Sequence, residues 1–540
     1  MVSWLKDAIF YQVYPASFYD GNGDGVGDLK GIIEKLDYIK DLGVNAIWIN
    51  PFFKSPFMDG GYDIADYRSV DERFGTTEDF EDLVSECKRR NIKIIIDLVI
   101  GHTSTEHEWF RGSAKDEKNK YSDYYIWTDS IFSKYKDKTI HGLYPRDGGY
   151  YVNYYACQPA LNFGFNKIEA GGTADNYDSG TGWMMHYTDE RLKPLREEIL
   201  DIMRFWLDKG IDGFRVDMAN SLVKGCVFYS DKDEDIAGNK WLWNILIGTI
   251  KREYGEDIAF ISEWVCPENA VGKCGFDVDF FAHDIPCYND LFRNEPHTNL
   301  LPSFEKGYSY FGKDGKGSIK NFLDYALKLN LLLNGKGYYS VPTGSHDQVR
   351  LAEMKDDDLM KCIFAFLLTW QHVPFIYYGD EIGMKHAFGV NKDGGYIRTG
   401  ARTPMQWSNG ENCGFSATNV TYLPVNARKT PTVEDMEKNK NSLLNTVREL
   451  IKIRKTSPAF SAEGKTEIVL AENGGYPFVY RRYARNESFL VAINPGEKVF
   501  DIKISGEILS GSNVVFSGNM LQLRAKSFCI VRADKYGHAE

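Results

Sequence analysis

The sequence contains no run of about eighteen apolar residues, so no segment of it reads as a membrane-spanning helix. It also has no basic block. Its 64 Lys and Arg against 76 Asp and Glu leave a net charge of −12, which argues against nucleic acid or an anionic membrane surface as the partner. The nine cysteines are odd in number and scattered singly, with no Cys-x-x-Cys pair. That spacing excludes a disulfide framework and a zinc site, and fits reduced thiols in a cytoplasmic protein. The opening segment MVSWLKDAIFYQVYP has none of the regions of a secretory signal, so a cytoplasmic location is expected. No internal repeat or low-complexity tract is found.

Aromatic residues are in excess: 33 Tyr, 33 Phe and 11 Trp make up 14% of 540 residues. A Phe-rich core would explain Phe alone. Tyr has a polar tip that favours half-wet places, so an equal number of Tyr raises the question of what those rings meet. The length corresponds to about three domains at roughly 100–200 residues each.

Short β-branched runs alternate with amphipathic stretches, the pattern of βα units on a parallel sheet. Eight strand candidates are found: 8–15, 44–51, 92–100, 211–218, 258–265, 275–281, 338–346 and 373–380. Helices are expected at 29–43, 76–90, 195–210 and near 240–254. Eight strands can close a (β/α)₈ barrel, although the irregular spacing leaves a doubly wound sheet open. Residues 103–188 carry Tyr, Gly, Asp and Trp without helical period, too long a stretch for a simple loop, and read as an inserted subdomain. From about residue 460 short alternating strands with turn signals predict a C-terminal antiparallel β domain. The expected division is 1–102, 103–188, 189–459 and 460–540.

In a barrel the reactive groups sit at the carboxyl ends of strands. Asp217 closes GFRVD, Glu263 closes IAFISE and Asp347 follows VPTGSH. Strand geometry puts Arg215 on the same side as Asp217, where a guanidinium lowers a carboxyl pKa and keeps it ionised, as a nucleophile requires. Apolar Phe260, Ile261 and Trp264 around Glu263 would raise its pKa, suiting a general acid. One ionised and one protonated carboxyl is the glycosidase arrangement. Three carboxylates capping the following loops would be the structural alternative.

These segments resemble a known family. DLVIGHTS around His102, GFRVDMANS, ISEWV and GSHDQ are similar, in order and spacing, to the four short regions of the α-amylase superfamily, glycoside hydrolase family 13. QPALN at 158–162 resembles its fifth region. YGDEIGM and ARTPMQW (401–407) resemble segments of its oligo-1,6-glucosidase and α-glucosidase branch. The resemblance implies a (β/α)₈ TIM barrel, a domain B inserted after strand three and a C-terminal antiparallel β-sandwich. It implies Asp217 as nucleophile, Glu263 as acid/base, and Asp347 as the third acid, which binds sugar hydroxyls. His102 and His346 match histidines that hydrogen-bond the sugar, and Tyr62 matches the aromatic platform beneath it. Asp59 and Arg398 match a salt bridge that closes the pocket of exo-acting members; an ordinary surface ion pair is the alternative. Asp20, Asn22, Asp24, Val26 (through its carbonyl) and Asp28 place oxygen ligands at alternate positions, a spacing that wraps a hard cation. Gly31 stands where an EF-hand has Glu, so the loop resembles instead the smaller metal loop of oligo-1,6-glucosidases. Structural Ca²⁺ is expected, with Mg²⁺ or a metal-free turn as alternatives.

The sequence departs from the family at several points. Gly101 replaces a common Asn that ligates calcium in α-amylases, Ser345 replaces an Asn beside His346, and Ala160 replaces an Asp. Met218 leaves the linkage unread, and the 170–182 segment has no familiar counterpart. The aromatic cluster between Trp109 and Phe165 falls in the inserted segment, where rings with polar tips suit neutral sugars. The expectation is therefore a retaining exo-acting α-glucosidase on small neutral α-glucosides. A transglycosylase or isomerase of the same superfamily is its nearest rival, and an endo-amylase or a non-catalytic relative a more distant one. Monomer and homodimer stay equally open.

Overall fold

The computed structural model describes residues 1–133, 138–168, 182–227, 229–281, 286–426 and 431–533. The unmatched 170–182 segment lies, but for residue 182, outside the described residues. Eight parallel strands form one sheet: β1 (Phe10–Val13), β2 (Ala46–Ile49), β3 (Lys93–Leu98), β4 (Gly213–Val216), β5 (Ala259–Ser262), β6 (Val278–Phe280), β7 (Tyr338–Ser340) and β8 (Phe375–Tyr377). Each lies inside one of the eight expected segments. Strands neighbour in chain order from β1 to β7, and β8 returns to pair with β1. The seam between β7 and β8 is bridged by the Val373 N–H to the Tyr339 carbonyl (3.1 Å) and the Thr343 N–H to the Phe375 carbonyl (3.0 Å). The sheet is therefore a barrel, and the doubly wound alternative is overturned.

The crossover helices follow from pattern. Thr77–Arg89 opens with a reciprocal capping box between Thr76 and Asp79 and buries Phe80, Leu83, Val84 and Cys87, one stripe at helical spacing. The single helix expected over 29–43 is two, Leu29–Glu34 and Leu36–Leu42, broken at Lys35 and ended by left-handed Gly43.

Side chains two apart on a strand share a face, and this period divides the barrel interior into layers. Phe10, Trp48, Ile95, Ile261, Phe280 and Phe375 pack in one buried cluster, with Phe10 and Phe375 stacked at 4.2 Å. Burial of each large side chain contributes roughly 1.5–3 kcal/mol. Two residues further along the same faces stand Gln12, Asn50, Asp97 and Glu263, with Arg215 and Asp217 on β4. The sequence thus builds an apolar floor under a polar layer at the carboxyl ends of the strands.

The segment 103–188 contributes a helix Glu108–Ser113 and a hairpin of Thr139–His141 with Gly149–Tyr151. Its rings largely meet one another. Phe110 lies within 5.1 Å of Tyr125, Tyr144 and Tyr150, and Trp109, Tyr124, Tyr125, Trp127 and Tyr150 are buried. The expectation that this cluster faces sugar is corrected. In a segment short of regular secondary structure the rings supply the core, and Tyr154 and Tyr155 are the members that line the cavity described below.

After β8, helix Leu443–Thr456 leads to six antiparallel strands, β9 (Lys465–Leu470), β10 (Phe478–Ala484), β11 (Glu487–Asn494), β12 (Phe500–Lys503), β13 (Gly506–Ser517) and β14 (Met520–Ala533). β14 pairs with β11, β12 and β13, and the strands enclose a core of Val479, Leu490, Ile502, Ile504, Leu521, Leu523 and Val531. Among the described residues no helix is long and apolar enough to cross a membrane, and all nine cysteines are unpaired.

Candidate active site

A cavity of about 420 Å³ opens at the carboxyl ends of the strands, lined among others by Asp59, Tyr62, His102, Asp217, Glu263, Asp347 and Arg398. The three acids marked from sequence thus converge from β4, β5 and the loop after β7. Tyr154, Tyr155, Tyr396 and Leu301 form its rim.

One side of the cavity is organised by Arg215. Its Nη1 donates to Asp217 Oδ1 (2.8 Å) and Asp97 Oδ1 (2.6 Å), and its Nη2 lies 2.6 Å from Glu263 Oε2. Three carboxylates therefore share one guanidinium. Burial and the neighbouring Glu263 raise Asp217 well above the usual carboxylate range, and Arg215 opposes them without cancelling them. This corrects the expectation that Arg215 would hold Asp217 ionised: its pull is outweighed by burial and by the Glu263 carboxylate beside it. Glu263 also accepts from the Met218 N–H at 3.1 Å, so it meets a cation and an amide as well as the apolar neighbours seen in sequence. Met218 has a left-handed φ of 43°, the turn that aims this amide at the acid.

The other side pairs charges one for one. Asp347 Oδ1 accepts from Arg402 Nη2 (2.7 Å) and Arg398 Nη1 (3.0 Å), while Arg398 Nη2 donates to Asp59 Oδ1 at 2.8 Å. Gln158 Nε2 donates to the second oxygen of Asp59 (2.8 Å), and Tyr155 OH lies 3.2 Å from Arg398 Nη2. Burial works to raise Asp347, but His346, Arg398 and Arg402 outweigh it and hold it well below its usual range. The Asp59–Arg398 bridge expected from sequence is formed, in the cavity wall rather than as an isolated surface pair.

Between the two sides lie Tyr62, His346 and His102. Tyr62 stacks parallel to His346 at 5.1 Å and its hydroxyl accepts from Asn50 Nδ2 at 2.8 Å. His346 Nδ1 accepts from Gln12 Nε2 (2.9 Å) and Asn50 Nδ2 (3.2 Å), which leaves Nε2 the protonated nitrogen, 3.1 Å from Asp347 Oδ2. His346 is thus held without an Asn at position 345. His102 is held near pKa 4 by burial, and its Nε2 donates to the Tyr62 carbonyl at 3.1 Å. Where Gly101 departs from the family, Asn153 Nδ2 donates to the Gly101 carbonyl (2.8 Å), and Lys224 Nζ donates to Asn153 Oδ1 (2.9 Å). Burial lowers Lys224 to about 7.

Comparison with known sequences turns this geometry into a family. The chain matches the alpha amylase catalytic domain over residues 12–168 and 185–463. It belongs to the α-amylase family of glycoside hydrolases. The oligo-1,6-glucosidase of Parageobacillus thermoglucosidasius is 32% identical over 94% of this chain and 93% of its own length. The glucan 1,6-alpha-glucosidase of Streptococcus pneumoniae serotype 4 is 31% identical over 94% of each. Among solved structures, the trehalulose synthase of Pseudomonas mesoacidophila MX-45 superposes with a TM-score of 0.80 at 27% identity, covering 98% of this chain and 100% of that one.

Within this α-amylase-family site, the sequence reading missed Asp97, Asn50, Gln12, Arg402 and Gln158, while Tyr155 belonged to the aromatic cluster it had marked. Asp97 carried a signal: it is a charge inside the apolar run IKIIIDLVI, on the same strand face as Ile95. It accepts from Trp48 Nε1 (2.8 Å) as well as Arg215 and is fully enclosed. Arg402 and Gln158 stood inside matched motifs without being singled out.

The loop Asp20–Asp28 does not line the cavity and carries the side-chain oxygens of Asp20, Asn22, Asp24 and Asp28. Asp20 accepts from the amides of Gly23 (2.7 Å) and Gly25 (2.8 Å) and from Ser416 Oγ, and Asp28 from those of Asn22 (3.1 Å) and Gly31 (2.6 Å). Asn22 and Asp24 are exposed. Among the described residues no group of three or more His, Cys, Asp and Glu is gathered for a metal ion. The loop's turns close on its own amides, while its oxygen set suits a hard cation.

Proposed function

We propose that the protein is a retaining, exo-acting α-glucosidase that removes terminal α-linked glucose from short, neutral oligosaccharides. The observation that carries this reading is the pocket itself. The Asp217–Glu263 pair and the Asp59–Arg398–Asp347 ion network line one cavity, and a network of this kind in its wall supports a pocket closed around one terminal sugar. Asp217 attacks the anomeric carbon while Glu263 protonates the leaving oxygen; Glu263 then takes the proton of the incoming water. One guanidinium touching both carboxyl groups favours the short separation, about 5–5.5 Å, of retaining enzymes over the wider gap that holds a water in inverting ones. Asp347 and His346 grip the sugar's hydroxyls, and Tyr62 underlies its ring. The names of the relatives support α-1,6-linked substrates over α-1,4. The test is incubation with isomaltose, maltose and maltotriose, with products identified by chromatography. Glucose released one unit at a time in the α-configuration is expected; internal cleavage of longer chains or β-glucose would overturn the reading.

A second reading is favoured by the structural comparison with isomerases. A mutant isomaltulose synthase of Erwinia rhapontici NX5 in complex with D-glucose superposes with a TM-score of 0.78 over 98% of this chain, at 27% identity. The first chemical step is shared, and only the acceptor differs. Sucrose decides between them: glucose and fructose support hydrolysis, a new disaccharide the isomerase.

For the loop 20–28 we propose a structural Ca²⁺ held by Asp20, Asn22, Asp24, the Val26 carbonyl and Asp28. An ion that binds the folded state alone raises the unfolding temperature. Equal unfolding temperatures in Ca²⁺ and in chelator would remove the proposal.

A further inference from the structure

Glu263 leads directly into a turn that is tied down from below. Asp279, on β6, is completely buried. Its Oδ1 accepts from Ser262 Oγ (2.7 Å), the Trp264 N–H (2.9 Å) and the Val265 N–H (3.3 Å), and its Oδ2 accepts from the Cys266 N–H (2.7 Å). These four donors are neutral and come from the residues either side of Glu263. Three successive amides converging on one carboxylate form a concave anion seat, which bends the chain sharply. The bend leaves Val265 at a left-handed φ of 62°, a conformation that a β-branched residue adopts only when its surroundings impose it. From above, the Glu263 N–H donates to the Val216 carbonyl and its carbonyl accepts from the Ala219 N–H. Glu263 is thereby clamped between β4 and β6, and its side chain has one exit, toward Arg215 and the cavity.

We propose that Asp279 is a positioning residue for proton transfer: by gathering Ser262, Trp264, Val265 and Cys266 it fixes the turn that carries Glu263, and with it the direction in which the Glu263 carboxyl meets the leaving oxygen. This rests on the reading of Glu263 as acid/base. Asp279 touches no substrate, and the proton it governs passes between Glu263 and the glycosidic oxygen.

The experiment compares kcat/KM, which reports the glycosyl-transfer step, on isomaltose and on an aryl α-glucoside whose phenol leaves without protonation. In Asp279→Asn one anion oxygen becomes an amide that opposes the Cys266 N–H. A positioned general acid is worth about 10²–10⁴-fold. Asp279→Asn is expected to lose at least about tenfold on isomaltose and less than about threefold on the activated glucoside. Equal losses on both substrates would overturn the proposal, because a merely structural role lowers both alike. Ser262→Ala, which keeps the carboxylate and removes one donor, covers the case in which Asp279→Asn does not fold: a smaller tilt in the same direction supports the proposal and none refutes it. Glu263→Gln in the same assay separates the two ideas. If Glu263→Gln spares the activated glucoside while Asp279→Asn does not, positioning fails and the acid assignment stands; if Glu263→Gln loses equally on both, the acid assignment itself fails.

Discussion

The two sides of the cavity are built from the same residue types in different ratios. Around Arg215, Asp97, Asp217 and Glu263 share one guanidinium. Across the cavity, Asp59 and Asp347 share two, Arg398 and Arg402. Burial works to raise the carboxyls on both sides: Asp217, beside Glu263, is driven up and Asp59 is raised too, while Asp347 is held down by His346, Arg398 and Arg402 together. On the function proposed above, an excess of acid favours the protonated form of a carboxyl beside the glycosidic oxygen. On the same proposal, Asp347 stays an anion beside the sugar's hydroxyls.

The largest way to break this contrast is to remove Asp217, the proposed nucleophile. Asp217→Asn is expected to lower kcat by about 10⁴-fold or more while leaving the fold intact. Turnover within tenfold of the parent would show that another group attacks.

Removing the single cation of the crowded side comes next. Arg215→Met leaves buried Asp97 and Asp217 and half-buried Glu263 without their shared cation, and breaking a buried ion pair in this way costs about 3–5 kcal/mol. A large drop in the half-inactivation temperature is expected together with loss of activity. Arg398→Met on the balanced side is the comparison: Arg402 still pairs with Asp347, and Arg398 is partly exposed. Its cost falls on binding, with KM for short substrates rising roughly 10–100-fold, about 1.4 kcal/mol per tenfold. Opening that wall should also let longer chains be cut internally. Similar thermal losses in the two variants would show that the charge ratio does not distinguish the two sides.

The strands were legible because short β-branched runs alternate with amphipathic helices, and the acids because Asp217 and Glu263 directly follow strand ends and Asp347 stands in the loop after β7. Arg215 beside Asp217 was legible as a contact, since strand period places them together. Its electrostatic result was not: Asp97 lies 118 positions before Arg215 and Glu263 just past the next strand, and only the side-by-side pairing of β3, β4 and β5 brings them to one guanidinium. The aromatic segment misled for the reverse reason. Composition shows that rings are abundant, but whether they face one another or the solvent is decided by packing, and Phe110 collects Tyr125, Tyr144 and Tyr150 around itself.

The smallest expected effect is the most direct measure of the crowded side. After burial, the charge of Glu263 is the largest influence raising Asp217. Glu263→Gln removes that charge and favours the ionised nucleophile, so the pKa of Asp217 should fall, by about one unit for each 1.4 kcal/mol of repulsion relieved. The rate at which a 5-fluoro glucosyl fluoride labels Asp217 reports the ionised form and needs little acid assistance. In the parent, labelling should weaken as pH falls through the raised pKa; in Glu263→Gln the same limb should lie at lower pH. Asp347→Asn, across the cavity, should move it much less, since Arg398 and Arg402 already neutralise that charge. An unmoved limb in Glu263→Gln would mean that burial alone raises Asp217, and that the excess of acid around Arg215 plays no part in keeping the proton.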